Sequence, residues 1–330
     1  HLTEARFDGS VVDAAGDISA IATATERHQI RVSASSVALA VGIGGAVAGA
    51  GLSADVTNHS FVQAISLNTG LRAGGSITIN AVSSTTVDDA AAGSSGTTMV
   101  GTAVAGGLAS VAVAVSLLHA TVENTVTATV QATQALESYV AAGGDVTVTA
   151  NSTSKMDNLD GVGVAFASGQ FAATGGGLNI SLLVNNTVTA LVDLGNRLRS
   201  VVSGGTLTVA ADEIASMSSN VVNISTAAAP VGLAVGAAVM LSRHSSTVGA
   251  TIKRAQITTT DLDLRATSSL NVSKTDVTGV SAGTIAAVVN VATVKAEALV
   301  TALLDDAAVQ AAEDVTLISD YKVYGRATAL

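Results

Sequence analysis

The stretch Gly144-Asp145-Val146-Thr147-Val148-Thr149-Ala150 decides how this chain reads. Apolar and hydroxyl side chains alternate in it with period two, which sends them to opposite faces of an extended strand. Val and Thr suit a pleated surface, and the Gly-Asp pair ahead of them supplies a turn. The pattern returns at Gly75-Ser76-Ile77-Thr78-Ile79-Asn80-Ala81 and at Gly205-Thr206-Leu207-Thr208-Val209-Ala210-Ala211, with looser copies from Gly16, Asp261 and Asp314. Successive copies lie about 59, 69, 61, 56 and 53 residues apart. A second anchor comes late in each unit. It is clearest as Asn124-Thr125-Val126-Thr127-Ala128 and Asn186-Thr187-Val188-Thr189-Ala190, with echoes from Ser60, Thr247 and Leu299.

Repeats of this length with β patterning predict an all-β solenoid in which each unit closes its apolar side only by stacking on the next. The repeats read as 16–74, 75–143, 144–204, 205–260 and 261–313, with a partial one at 314–330, and the chain is expected to be a single solenoid fragment of a longer protein. About 60 residues exceed one ordinary β-helix turn and leave room for two or three, stacked about 4.8 Å apart. Gly75, Gly144, Asp145 and Gly205 are the expected turn residues. Asn124 and Asn186 occupy equivalent places before a strand and are expected to bond to one another or to turn backbone across coils. Between the anchors, Val111–Val115 is apolar on both sides, which predicts a strand covered on both faces. The most helix-like pieces, 133–140, 197–202 and 307–313, are short enough to be loops or single turns.

Composition narrows the class. The 330 residues include 15 Lys and Arg against 25 Asp and Glu, a formal charge of −10, which with only seven Phe and Tyr disfavours a nucleic-acid partner. There is no Cys, so a disulfide scaffold or Cys-based zinc site is excluded. Apolar residues at 48% are too many for a disordered chain. The net charge is expected to keep the exterior soluble and discourage sideways sticking.

Uncharged runs between Arg31 and Asp55, Asp89 and His119, and Glu213 and Arg243 are long enough for membrane helices. Gly45-Ala46-Val47-Ala48-Gly49 has the spacing of small residues that pack such helices. The runs are nevertheless rich in Gly, Ser and Thr, lack flanking Lys/Arg clusters, and recur inside a β repeat. They read as packed strands, with membrane insertion or a pore-forming module as the alternative.

Candidate chemistry is sparse. His1, His28, His59, His119 and His244 form no metal-ligand spacing and read as solvated or turn-capping side chains. The pairs Asp88-Asp89 and Asp305-Asp306 lack the loop pattern of a Ca²⁺ site and read as exposed acidic turns. Asp157 and Asp160 have a glycosidase-like separation, but a sugar cleft needs aromatic walls that this composition does not supply. Gly42–Gly51 contains no phosphate-binding signature, and no Ser sits in a nucleophile elbow. No catalytic residue, cofactor or metal ligand is expected.

The unit Gly-Asp-Val-Thr-Val, a Gly/Ala/Val run, then Asn-Asn-Thr-Val-Thr-Ala resembles repeats of filamentous haemagglutinin-like exoproteins. It is also similar to repeats of giant bacterial surface adhesins of the leukotoxin-type filamentous kind. The resemblance covers about residues 16–325. It implies a right-handed parallel β-helix in a long, secreted, cell-surface fibre without catalytic residues. The function it implies is a structural or adhesive stalk, with a self-assembling fibre or sheath subunit as a further alternative. The partners implied are adjoining repeats of the same chain, further copies of it, or a host or cell-surface ligand.

Overall fold

A computed structural model describes residues 1–39, 44–89, 99–133, 139–195 and 199–330. Every regular element among them is a β-strand, and the strands pair in parallel. They form a first long sheet, a short sheet and a second long sheet of seven, six and ten strands.

The chain visits the sheets in a fixed order. From Ala109–Gln131 in the first long sheet it reaches Tyr139–Ala142 in the short sheet, then Val146–Asp157 and Gly161–Ser168 in the second long sheet. Gly169 and Gln170 then return it to the first long sheet as Phe171–Val184. Ala109 now faces Phe171 and Val122 faces Val184, one repeat on. Each repeat therefore makes one circuit, which corrects the expectation of two or three turns per unit. The reason is strand length. Ala109–Gln131 runs for 23 residues, about 76 Å at about 3.3 Å per residue, with neither Gly nor Pro inside it. The cross-section is a flattened loop of two long sheets face to face, an arrangement compatible with a β-solenoid.

Coils are numbered 1 to 6 here by their strands in the short sheet: Val11–Ala14, Gly70–Ala73, Tyr139–Ala142, Ser200–Ser203, Gln256–Thr259 and Ala308–Ala311. Three of these absorb the helix-like pieces of the sequence: Tyr139 and Val140, Ser200–Val202, and Ala308–Ala311 are strand, while 134–138 and 196–198 lie outside the described residues. In the second long sheet the first anchors stack in register, Ile18 on Ile77, Ile77 on Val146, Val146 on Leu207, Leu207 on Leu262 and Leu262 on Val315. The uncharged runs, where described, are strands of the two long sheets joined by short turns, including Gly45–Leu67, Met99–Gly106 and Val231–Lys253. No helix among the described residues is long and apolar enough to cross a membrane.

The core tapers. At the end closed by the short sheet, three walls enclose Leu71, Ile77, Ile79, Val126, Leu207 and their neighbours. The middle is filled by Leu118, Met156, Ile180, Met217 and Met240. At the far tip the buried cluster consists of alanines only, among them Ala48, Ala103, Ala112, Ala165 and Ala234. The two sheets join there through two-residue turns, so only small side chains fit between them. Pro230, the single proline, occupies one of these turns, outside the strands.

The corner leading into the short sheet has its own requirement. Gly9, Asn68, Gly195, Arg254 and Asp306, one each in coils 1, 2, 4, 5 and 6, take positive φ there. Gly and Asn adopt that conformation most readily. Arg254 is held in it by an ion pair with the buried Asp193, whose Oδ1 accepts from the guanidinium Nε at 2.9 Å.

Candidate functional site

The predicted turn residues meet at the corner between the short and second long sheets. Gly144 N–H donates to Gly75 O at 2.9 Å, and Gly205 N–H donates to Gly144 O at 3.2 Å. Asp145 Oδ1 accepts from the Thr206 N–H at 2.9 Å, so one coil's side chain caps the next coil's backbone. Asp17 does the same for Ser76 and Asp261 for Asp314. A Cβ on Gly205 would lie 2.1 Å from Asp145 Oδ1, so the glycine leaves room for this cap.

Asn124 and Asn186 stand in one column of the first long sheet, between Ser60 and Ser246. Facing them on the second long sheet is the column Ser83, Ser152, Glu213, Ser268 and Tyr321. Together they make a polar layer across the core, separating the wide apolar compartment from the middle one. The Asn124 N–H donates to Asn186 Oδ1 at 3.1 Å. Asn186 Nδ2 donates to Ser154 Oγ and Glu213 Oε1, both at 2.9 Å. These bonds satisfy groups that would otherwise be buried unpaired. Asn186→Ala should therefore cost about 1–3 kcal/mol, read as a lower urea midpoint; an unchanged midpoint would remove Asn186 from the ladder.

Glu213 and His244 are the centre of the layer, and both side chains are fully buried. His244 Nε2 lies 2.9 Å from Glu213 Oε1 and Nδ1 lies 3.3 Å from the Tyr321 hydroxyl. Ser246 and Ser268 also donate to the carboxylate, at 3.0 and 2.5 Å. Burial pushes the Glu213 carboxyl up. The interactions with His244 and the bonds from Ser268 and Asn186 outweigh burial and leave the group below its ordinary value. This corrects the expectation of a solvated His244. The sequence hides the pair, because Glu213 and His244 stand 31 residues apart and the positions stacked under His244 are Val184, Val122 and Asn58. Carboxylate, imidazole and hydroxyl stand together here, the carboxylate and imidazole fully buried between the sheets and Tyr321 half-buried on the last coil. The cluster binds the two sheets to each other.

The other candidates are taken up by local bonds. Asp157 pairs with Lys155 at 2.6 Å, and Asp160 Oδ1 accepts from the Asn220 N–H at 2.7 Å. His59 pairs with Glu123 and Asp88 with Arg27, while the side chain of Asp89 lies outside the described residues. Among the described residues no three His, Asp or Glu side chains are grouped to hold a metal ion. No family model, curated protein or solved structure matches this chain. Its surface and its stacking must carry the functional reading.

The surface departs from the sequence reading in one place. Val111, Val113 and Val115 point outward from the first long sheet and are about 40% exposed, while Ala112 and Ala114 between them are buried. The strand predicted to be covered on both faces is covered on one. A groove of about 270 Å³ opens on this bare side beside Phe171.

Proposed function

We propose that this chain is a wound segment of a secreted bacterial filamentous surface protein of the haemagglutinin-like kind, coiled as a right-handed parallel β-helix. Its work is mechanical and non-catalytic: to stack, resist unfolding and present a face. The observation that carries the reading is the unbroken register of the first long sheet, where Val47, Val111, Ala173, Leu233 and Ile285 fall in one row through five coils. A crossover between parallel strands of one sheet is right-handed in nearly every known case, which supports the hand. The bare inward side chains of coil 6, among them Val315 and Leu317 beside the buried Leu262 and Leu264, fit a further coil as a partner. The side chains with chemical potential are spent on each other, which supports a structural role. Self-assembly into a fibre or sheath is the second reading, favoured by the apolar outer face.

Antibody raised against this chain tests the proposal on intact cells that make the parent protein. Immunogold label is expected on external filaments, and label confined to the cytoplasm overturns it. A panel of polysaccharides and peptides is expected to remain uncleaved; turnover lost in Asp160→Asn overturns the non-catalytic assignment.

A further inference from the structure

The chain's charges are divided between the two ends of its flattened cross-section. None of its Lys, Arg, Asp or Glu residues falls in 32–54, 99–118, 161–182, 221–242 or 277–294. Where described, these segments are the tip side of the coils. On the outer face of the first long sheet, charge begins only at Asp55, Arg243 and Lys295, near the middle of the strands. The tip side of that face presents Val47 in coil 2, Val111–Leu117 in coil 3, Phe171 in coil 4, Val231–Val235 in coil 5 and Ile285–Val291 in coil 6, alternate residues pointing out. Phe171 is 56% and Val231 59% exposed.

We propose that this face binds a second copy of the same chain. The inference rests on the wound, non-catalytic reading above and gives that assembly its lateral partner. The size fits. About ten residues along each strand span about 33 Å, and five coils at about 4.8 Å span about 24 Å. The footprint is thus about 800 Å², which is what each partner of a stable protein pair contributes and more than a soluble monomer ordinarily leaves bare. The face has relief along the stack. Coil 4 carries Ala173, Gly175 and Gly177 where coil 3 carries Val111, Val113 and Val115 and coil 5 carries Leu233, Val235 and Ala237. A copy related by a two-fold axis along the stacking direction therefore meets it ridge to ridge, Val113 of coil 3 lying opposite its own counterpart. Charge fixes the orientation. With tips overlapped about a two-fold axis parallel to the stacking direction, the two charged ends point away from each other. The reverse overlap sets two acidic ends, each carrying a share of the −10, side by side. The net charge discourages sticking only at the end where it resides.

Sedimentation velocity of the full 330-residue chain across a concentration series tests this. A reversible dimer is expected. Val113→Glu with Val235→Glu should weaken it at least about tenfold, while the far-UV circular dichroism and urea midpoint stay at wild-type values. Thr127→Glu, on the charged end of the same sheet face, should leave the dimer unchanged. Because the chain has no Cys, Val113→Cys should in addition form a disulfide-linked dimer on mild oxidation. A monomer at all concentrations overturns the proposal. So does a dimer untouched by the double variant, which would assign association to the open edges of coils 1 and 6. So does flotation of monomers with phosphatidylglycerol vesicles that the double variant abolishes, which would assign the face to lipid. A chain that remains an in-register parallel coil but stays monomeric loses only this interface; a chain without that coil loses the functional reading too.

Discussion

Glu213→Ala should be the most damaging single substitution in the core, lowering stability by about 3–5 kcal/mol. Four donors converge on this carboxylate, from His244, Ser246, Ser268 and Asn186. Removing it leaves them facing one another in a sealed layer, with no water to replace the acceptor. Glu213→Gln keeps the shape and one acceptor oxygen and should cost less. The pair of variants also gives a pH test. The folded carboxyl titrates below its ordinary value of 4.5, so the unfolded chain binds the proton first. The stabilisation is complete above that value and is lost as pH falls below 4.5 and through the folded pKa. Acid unfolding of the wild type should therefore steepen below about pH 4.5, and in Glu213→Gln this component should be missing. Equal acid sensitivity in both proteins would rule out Glu213 as its source. Midpoints of urea unfolding between pH 7 and 3 give both readings.

Gly204→Ala should be the second large effect, at about 2–3 kcal/mol. A Cβ there would lie 2.2 Å from the backbone oxygen of Gly143 in the coil below. The equivalent atom on Gly143 would lie 2.3 Å from Gly74 O, so the crowding recurs through successive coils. Backbone cannot yield as a side-chain tip does, and any shift must propagate to the next coil. Gly249→Ala is the control. It lies on the outer face of Val231–Lys253 with nothing within 4 Å of the added atom. There the loss of freedom in the unfolded chain should leave stability unchanged or raised by up to about 1 kcal/mol. If both substitutions cost the same, stacking of the turns is not what demands glycine at 204.

How much of this was readable before folding differs from feature to feature. The two anchors carry turn chemistry and period two together, and both lie in strands that pair at the spacings seen in the sequence, as at Val146 on Ile77 and Thr125 on Thr187. The number of circuits per repeat was not readable from the period, which counts residues and not corners. A clue was present in Ala109–Gln131, where 23 residues pass without Gly or Pro. The alternation of Val and Ala from 111 to 115 marked a strand but not which side faces solvent, because both side chains are apolar. The rule that decided it is volume: Ala goes to the narrow gap and Val to the outside. His244 and Glu213 gave no sequence signal at all, since an isolated His and an isolated Glu acquire meaning only when two sheets bring them together.

The breadth of each circuit has a mechanical consequence. With strands of about 76 Å and two layers that with their outer side chains are about 20 Å thick, the cross-section is a plank. Bending rigidity grows with the cube of the dimension lying in the plane of the bend. A fibre of such coils is therefore about fourteen times harder to flex edgewise than flatwise, given those two widths. It would yield like a ribbon under sideways flow, curving toward one broad side while holding its edge straight.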